Sequence, residues 1–254
     1  MVLQKKRVVI VTGGVGGLGL AITNKFVQHG DIVCLLDLSQ EKLDSTVAGL
    51  GENVKGYVCD VTKEASVQQT ITAILDEHQR IDVLVNNAGL QYRAKIEDFP
   101  LEKWQLLIDV MLTGVFLMTK HVFPEMKSKR FGRIINISSV HGEMATPEKV
   151  AYVAAKHGVI GVTSVSAIEA APYGITVNSV LPGPVKTPLL VKQLDDLYEI
   201  EGLSEQEALS RIVYPKQAMN RFIEDTEVAD TVFFLASEEA SAITMEHIKV
   251  AGGM

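Results

Sequence analysis

A glycine-rich loop near the N-terminus, Gly13–Gly19, limits the folds that are open to this chain. It follows Arg7–Thr12, a run whose continuous β-branched character is typical of a parallel strand buried on both faces. It precedes an amphipathic segment that runs to about His29, where Gly30 is expected to end the helix, and then a second apolar run, Ile32–Asp37. This order predicts a βαβ unit of about 30 residues.

Backbone N–H groups in such a loop can approach a pyrophosphate, and the positive end of the following helix then lies beside it. The loop therefore predicts a dinucleotide-binding site, with a glycine-rich turn that holds no ligand as the alternative. Asp37 ends the second run, where a carboxylate accepts hydrogen bonds from both ribose hydroxyls and repels a 2′-phosphate. No Arg or Lys lies in the loop or directly after Asp37, so the sequence favours NAD over NADP. Asp37 could instead cap the next helix, but Ser39 is the better candidate for that role.

The remainder of the chain continues the alternation of strands and helices. Further strands are predicted at Val54–Cys59, Ile81–Val85, Arg133–Ser138, Ile175–Leu181 and Ile248–Val250. Helices are predicted at Leu43–Leu50, Ala65–Glu77, Leu101–Lys127, Val150–Ala171 and Thr226–Ala236, with Trp104 and Phe116 in the core. The pattern predicts an α/β fold: a single Rossmann-type domain over residues 1–254, a doubly wound parallel sheet of about seven strands with helices on both faces. Residues 188–220 break the pattern and are expected to form a substrate lid.

Composition and charge argue against several classes of protein. The net charge of −7 argues against nucleic acid or an anionic membrane as a partner. The basic start of the chain lacks the pattern of a signal peptide, and no apolar run in the sequence reaches membrane-spanning length. Cys34 and Cys59 lie in apolar runs and are expected to be buried thiols in a reducing compartment, which favours the cytoplasm. The six histidines lack metal-ligand spacing, so no metal is expected.

A second motif, Tyr152-x-x-x-Lys156, lies in the helix predicted to begin at Val150. Residues at i and i+4 share one face of a helix, and an ammonium beside a phenol favours the phenolate. Lys156 is therefore expected to lower the pKa of Tyr152, which could then exchange a proton near neutral pH. Ser139, at the end of a predicted strand, can hold a substrate oxygen by a hydrogen bond. Without the glycine loop and Ser139, the Tyr-Lys pair would be interpreted as two surface residues.

Together these features resemble the short-chain dehydrogenase/reductase family over nearly the whole chain. The family string T-G-x-x-x-G-x-G fits at Thr12, Gly13, Gly17 and Gly19, in preference to G-x-G-x-x-G at Gly14, Gly16 and Gly19. The strings Asn86-Asn87-Ala88-Gly89 and Pro182–Thr187 also match the family. The resemblance implies an enzyme with Ser139, Tyr152 and Lys156 as catalytic residues, and a homo-oligomer, either a tetramer or a dimer. It implies that the cofactor is bound by Gly13, Gly17, Leu18, Gly19, Asp37, Asp60, Val61, Asn87, Ala88, Gly89, Tyr152, Lys156, Pro182, Val185 and Thr187.

Longer strings are similar to the bacterial D-3-hydroxybutyrate dehydrogenase branch of that family. They are G-L-Q, I-E-D-F-P-x-E-K-W, S-x-H-G, A-Y-V-A-A-K-H-G-V and T-P-L-x-x-K-Q. By this resemblance the substrate is bound by Gln91, Ser139, His141, Lys149, Tyr152 and Gln193, of which Gln91, His141, Lys149 and Gln193 take the carboxylate. Amide, imidazole and ammonium donors suit a small carboxylate, although each residue alone would be read as a solvated surface residue. The resemblance implies NAD-dependent interconversion of D-3-hydroxybutyrate, or a similar small 3-hydroxy acid, and acetoacetate.

The sequence departs from this pattern at three places. Met111 stands where the family usually has an Asn that completes a water-mediated proton relay, and a thioether cannot replace an amide. Pro184 stands where the branch often has Trp, and the chain ends in Gly252-Gly253-Met254 where the branch has another aromatic. A sugar, a diol or a 3-oxoacyl thioester therefore remains an alternative substrate. Met111 also leaves open a catalytically impaired NAD-binding protein.

Overall fold

The fold is built on one parallel sheet of seven strands, in the order β3-β2-β1-β4-β5-β6-β7. The computed structural model describes residues 6–186 and 217–254, together with Gly202 and Glu207. The strands are β1 (Val8–Thr12), β2 (Ile32–Asp37), β3 (Val54–Val58), β4 (Val83–Asn86), β5 (Gly132–Ile137), β6 (Ile175–Pro182) and β7 (His247–Val250). The predicted doubly wound parallel sheet is confirmed.

Helices cover both faces of the sheet. They are α1 (Gly17–Gln28), α2 (Gln40–Leu50), α3 (Glu64–His78), α4 (Leu101–Ile108), α5 (Gly114–Lys129), α6 (Val150–Ala170) and α7 (Asp225–Leu235). Alternate residues of β1 point to opposite faces, so Val9 and Val11 join the core under α1, α2 and α7, while Val8 and Ile10 join the core under α3, α5 and α6. A strand buried on both faces explains the continuous apolar run in the sequence.

The order of the strands reverses direction at β1, which pairs with β2 on one side and β4 on the other. In open parallel sheets a ligand-binding crevice opens at the carboxyl ends of the strands beside such a switch point. The glycine loop after β1, the Asn87 segment after β4 and the Ser139 segment after β5 all leave the sheet at that edge. The topology therefore brings together three motifs that are far apart in the sequence.

The long helix predicted at Leu101–Lys127 contains a turn of π-helix. The π-turn, Asp109–Thr113, joins α4 to α5, and α5 ends at Lys129. Phe116 is 50% exposed, so its predicted place in the core is wrong, and Trp104 is only partly buried. The helical stretch Leu101–Lys129 is long and apolar enough to cross a membrane by length and composition, contrary to the sequence-based prediction, but many of its apolar residues pack against the sheet.

Several local predictions are confirmed and others need correction. Ser39 caps α2 by accepting a hydrogen bond from the Lys42 amide at 3.3 Å, and both cysteines are buried free thiols. Strand β3 ends at Val58, before Cys59, and the C-cap of α1 is His29, with Gly30 following at φ +84°. Most of the predicted lid at 188–220 lies outside the described residues, as do Thr187 and Gln193.

Candidate active site

The glycine loop brings α1 against the end of β1 at a distance that excludes a side chain. A Cβ placed on Gly19 would lie 2.1 Å from the carbonyl oxygen of Gly13 and 2.7 Å from Asn87 Nδ2. Gly13 and Gly17 have φ of +62° and +51°, values that favour glycine. These three glycines are the ones of the T-G-x-x-x-G-x-G register. The backbone of the loop is therefore the surface that faces the crevice at the start of α1.

The segment after β4 fixes the conformation of this loop. The Asn87 side-chain amide donates to the carbonyl oxygens of Thr12 at 3.0 Å and Gly13 at 3.1 Å. The Thr12 hydroxyl oxygen accepts hydrogen bonds from the backbone amides of Asn87 at 2.9 Å and Ala88 at 3.0 Å. Four hydrogen bonds thus join the ends of β1 and β4. Gly89, the last residue of this string, lies next to the buried Met111.

Asp37, Asp60 and Val61, which are also predicted to bind the cofactor, line the same edge of the sheet. Asp37 ends β2, and its Oδ1 accepts from the Ser39 amide at 3.2 Å. Asp60 Oδ1 accepts from the Thr62 amide and hydroxyl, at 2.9 and 2.7 Å. Val61 packs against Gly114 at the start of α5. An N–H-rich loop at a helix N-terminus beside a carboxylate at the end of the next strand fits a dinucleotide.

The end of β6 supplies the last part of this edge. Pro182 is the final residue of β6, and the buried Val185 forms a parallel bridge with Ile223. Two backbone hydrogen bonds of 3.0 Å, Lys186 N to Ile223 O and Ile223 N to Pro184 O, hold the segment in place. Pro182 and Val185 therefore lie at the carboxyl end of β6, and their predicted role in binding the cofactor stays a prediction.

Ser139, Tyr152 and Lys156 come together where β5 ends and α6 begins. The buried Lys156 ammonium donates to the carbonyl oxygen of Ile137 at 2.7 Å, and the Ser138 hydroxyl donates to the carbonyl oxygen of Lys156 at 2.9 Å. These bonds tie the helix to the strand. The Lys156 ammonium lies 5.6 Å from the centroid of the Tyr152 ring, as their helical spacing predicts.

Burial changes the titration of this pair in a way the sequence did not predict. It raises the pKa of Tyr152, and a hydrogen bond with Ser139 opposes this rise only in part. It lowers the pKa of Lys156 from 10.5 to about 8. The predicted lowering of the Tyr152 pKa by Lys156 is therefore wrong for this structure, because desolvation of the phenolate raises the pKa and the one opposing effect is the hydrogen bond with Ser139.

Two of the predicted substrate residues lie beside Tyr152. The His141 ring meets the Tyr152 ring edge-on, with centroids 5.8 Å apart, and its Nδ1 lies 3.3 Å from the Ser139 hydroxyl. Lys149 immediately precedes α6, one turn before Tyr152. Burial lowers the pKa of Lys149, and repulsion by Arg93 lowers it further. Over the described ranges, the Lys149 ammonium makes no hydrogen bond or ion pair, so it is available to an anion.

Gln91 lies in the segment that follows β4. Hydrogen bonds and an ion pair join this segment to the residues before α6. Arg93 forms an ion pair with Glu148 at 2.7 Å, and the Ala94 amide donates to the Glu148 carbonyl at 3.1 Å. Glu148 has a φ of +66°, a strained value for a residue with a side chain. These contacts hold the Gln91 segment beside Lys149, although the structure shows no direct contact between the two.

Sequence reasoning missed the polar support beneath the site. Asn86 donates to Asn136 Oδ1 at 2.8 Å, and Asn136 donates to the Thr163 hydroxyl at 2.9 Å. All three are buried and link β4, β5 and α6. A polar residue inside the apolar run Ile134–Ile137 was the available signal, because a buried amide requires hydrogen-bond partners. Thr146, which binds His141 Nε2 at 2.8 Å, had no such signal.

Comparison with known proteins agrees with this geometry. The family described as short chain dehydrogenase matches residues 7–197. An uncharacterized oxidoreductase, YxjF of Bacillus subtilis, is 43% identical over 253 residues, which are 98% of each chain. The D-beta-hydroxybutyrate dehydrogenase of Rhizobium meliloti is 39% identical over 249 residues, 96% of each chain. A solved structure of actinorhodin polyketide ketoreductase with NADPH superposes with a TM-score of 0.92 at 34% identity, covering 100% of this chain and 98% of that one. The chain belongs to the short-chain dehydrogenase family and is an oxidoreductase of that family.

Proposed function

We propose that the protein interconverts D-3-hydroxybutyrate, or a similar small 3-hydroxy acid, and acetoacetate with NAD as cofactor. The observation that carries the proposal is the half-buried, unpaired Lys149 ammonium at the start of the helix that carries Tyr152. A cation one helical turn from the proton-transfer group suits a substrate whose carboxylate lies two bonds from its reacting carbon. The 39% identity to a D-beta-hydroxybutyrate dehydrogenase supports the same substrate class.

Each residue of the site has a defined role in the proposed oxidation. Ser139 holds the reacting oxygen by a hydrogen bond, and Tyr152 takes the hydroxyl proton as phenolate, its minor form near neutral pH because burial raises its pKa. The bound nicotinamide supplies the hydride acceptor. Lys156 as ammonium stabilises the phenolate and holds the nicotinamide ribose. Gln91, His141 and Lys149 orient the carboxylate, so that the reacting carbon is held in one position.

The chain's own residues favour NAD over NADP in this proposal. The glycine loop holds the pyrophosphate, and Asp37 accepts hydrogen bonds from the adenine-side ribose. Leu38, Ser39 and Gln40 follow Asp37, and none of them could neutralise a 2′-phosphate. Solved relatives of this chain do not all carry NAD, since one of them carries NADPH. We therefore expect Asp37→Ala to lower the ratio of kcat/KM with NAD to kcat/KM with NADP.

We also propose that the protein is a homo-oligomer, a tetramer or a dimer, working in the cytoplasm without nucleic acid or membrane as partner. Three large apolar side chains on α5 and α6, Phe116, Val165 and Ile168, are 50, 58 and 65% exposed. A second copy that covered them would remove this apolar area from water. Size-exclusion chromatography with light scattering of wild type and Ile168→Glu tests the proposal. A monomeric wild type would contradict it.

The substrate proposal is tested by comparing an acid with a neutral alcohol of similar size. In Lys149→Met, KM for D-3-hydroxybutyrate should rise by about tenfold or more, because a charge-assisted hydrogen bond is worth about 1.5–3 kcal/mol, whereas KM for butan-2-ol should stay the same. Lys95→Met, which removes an exposed lysine from the Gln91 segment, is the matched control. Equal changes for acid and alcohol would remove the carboxylate site from the proposal.

A second candidate is a 3-oxoacyl thioester reductase. The structural likeness to a polyketide ketoreductase favours it. Pro184 favours it too, because it stands where the related dehydrogenase branch often has a bulky Trp. This alternative predicts faster reduction of acetoacetyl thioesters than of acetoacetate. The ratio of kcat/KM for the two substrates separates the candidates.

A further inference from the structure

A row of hydrogen-bonding side chains leads from Tyr152 to Thr146. Ser139 lies close enough to Tyr152 to oppose the rise in its pKa, and the Ser139 hydroxyl lies 3.3 Å from His141 Nδ1. On the other side of the imidazole ring, His141 Nε2 lies 2.8 Å from the Thr146 hydroxyl. The His141 backbone amide also donates to the Ser139 hydroxyl at 3.2 Å, which fixes the two side chains relative to each other. Each member of the chain can both give and take a proton.

This row of hydrogen-bonding side chains ends at a cavity. Thr146 lines a cavity of about 430 Å³, large enough for water, together with Glu148 and His157. Its other lining residues are apolar and belong to the positions on either side of Lys95, to the positions on either side of Thr146 and to the first turns of α6. A proton that reaches Thr146 therefore has water and two ionisable side chains beside it.

The described residues show no second hydrogen bond that leads from the Tyr152 hydroxyl. Tyr152 also packs against a cluster whose buried members, Leu107, Met111, Ala151 and Ala155, carry no N–H or O–H group in their side chains. Within the same ranges, the hydrogen bond that the Lys156 ammonium makes is with the carbonyl oxygen of Ile137. A carbonyl accepts a hydrogen bond but does not pass a proton on.

We propose that Ser139, His141 and Thr146 form a proton path that returns the proton of Tyr152 to water after each oxidation. The proposal rests on the proposed oxidoreductase function and adds a route for the proton to it. Thr146 acts through His141 and touches neither substrate nor cofactor, so it is a positioning and relay residue. The path engages both ring nitrogens of His141, so the carboxylate would be held by Gln91 and Lys149 while the proton passes.

The proton balance of the path is complete. After the substrate proton has moved to Tyr152 and the ketone has left, the Tyr152 O–H bond breaks as its proton passes to Ser139 Oγ. The Ser139 proton passes to His141 Nδ1, the His141 Nε2 proton passes to Thr146, and the Thr146 proton passes to water in the cavity. One phenol becomes a phenolate and one proton enters water, with no change in oxidation state. The reverse sequence supplies the proton for reduction, and a return of the ring and hydroxyl protons resets the path.

The test compares Thr146→Val, which keeps the shape of the side chain and removes its hydroxyl, with Thr146→Ser, which keeps the hydroxyl. In Thr146→Val, kcat for oxidation should fall by about tenfold, KM for the hydroxy acid should stay within twofold, and imidazole buffer should restore part of the rate. The solvent deuterium isotope effect on kcat should increase, because proton return becomes the slow step. Thr146→Ser should behave like wild type in all four measurements.

A purely structural role would give a different result. If Thr146 only positions His141 for the carboxylate, Thr146→Val would raise KM, leave the isotope effect unchanged and show no rescue by imidazole. That outcome overturns the proton path, and so does an unchanged kcat. It leaves the proposed function intact, because turnover of the hydroxy acid is still observed.

A measurement without substrate separates the two proposals further. In the complex with NADH, the ¹⁵N resonance of His141 Nε2 should shift in Thr146→Val and return to its wild-type position in Thr146→Ser. If the ¹⁵N chemical shift of His141 Nε2 is the same in wild type and in both variants, the proton path is wrong, whichever substrate the enzyme uses. A wild-type enzyme that rejects 3-hydroxy acids but shows this response refutes the substrate proposal and supports the path.

Discussion

Replacing Gly19 with alanine tests whether close packing of α1 against β1 builds the cofactor site. The added Cβ would lie 2.1 Å from the Gly13 carbonyl oxygen, whereas carbon–oxygen contacts in proteins are about 3.3 Å or longer. The start of α1 must therefore move by about 1 Å. The nearest atoms are a backbone oxygen and an Asn87 side chain that is already bonded to Thr12 and Gly13, so neither can move away cheaply.

Two effects of different size follow from this shift. Overpacking of a well-packed region costs about 1–3 kcal/mol, which for a chain of this size lowers Tm by roughly 2–12 °C. A displacement of about 1 Å at a binding loop costs about 100-fold in function, so the affinity for NADH should fall by a similar factor. The loss of affinity should exceed what the loss of stability explains.

Thermal unfolding and calorimetric titration with NADH measure the two effects separately. Gly161→Ala is the control, since a Cβ on this exposed helical glycine meets nothing within 4 Å and alanine is the better helix former. It should raise stability by up to about 1 kcal/mol and leave the affinity for NADH unchanged. Wild-type Tm and NADH affinity in Gly19→Ala would contradict this prediction, because they would show that the contact is relieved without cost to the loop.

Three further predictions concern Lys156, Tyr152 and Asn136, the polar residues in and beneath the site. Burial lowers the pKa of Lys156 from 10.5 to about 8. Between these two pH values the ammonium proton stays on the unfolded chain but leaves the folded one. The free energy of unfolding of the wild type should therefore rise with pH across this window. Lys156→Met should remove about 3 kcal/mol of this rise in urea unfolding, and parallel curves for the two proteins would contradict the assignment. Tyr152→Phe should lower kcat by about 100-fold or more and leave the affinity for NADH within twofold, as initial rates and calorimetry can show, and normal turnover would exclude Tyr152 as the proton-transfer group. Asn136→Ala should cost about 1–3 kcal/mol in thermal unfolding, because Asn86 and Thr163 each lose one partner while Asn86 keeps Thr119 and Thr163 keeps the Val159 carbonyl, and an unchanged Tm would show that the buried network contributes nothing.

The sequence predicted the parts of this fold whose signals are local. Strand β2 was predicted with its observed bounds, Ile32–Asp37, because a fully buried parallel strand reads as one apolar run between polar ends. The Ser39 cap was predicted because a serine before a helix has one favoured hydrogen bond to make. Tyr152 and Lys156 met as predicted, since helical spacing alone places them on one face.

Other features depend on contacts between distant segments and could not be predicted in this way. The π-turn at Asp109–Thr113 lies where Met111 packs against Ala151 and Ala155 of α6, a contact that no local pattern encodes. The direction of the Tyr152 pKa depends on how deeply the completed fold buries the phenol. The bond between Thr146 and His141 closes a short loop whose conformation is set by the strand and helix on either side.

The proposed function, oxidation of a small 3-hydroxy acid with NAD, is tested most directly by the initial rate of NADH formation with the separate D and L enantiomers of 3-hydroxybutyrate. The assay is repeated with NADP, and with Tyr152→Phe as the blank. The D enantiomer should be oxidised with NAD at least about tenfold faster than with NADP, and the L enantiomer should show no turnover above the blank. An enzyme that binds NADH but oxidises neither enantiomer would contradict it.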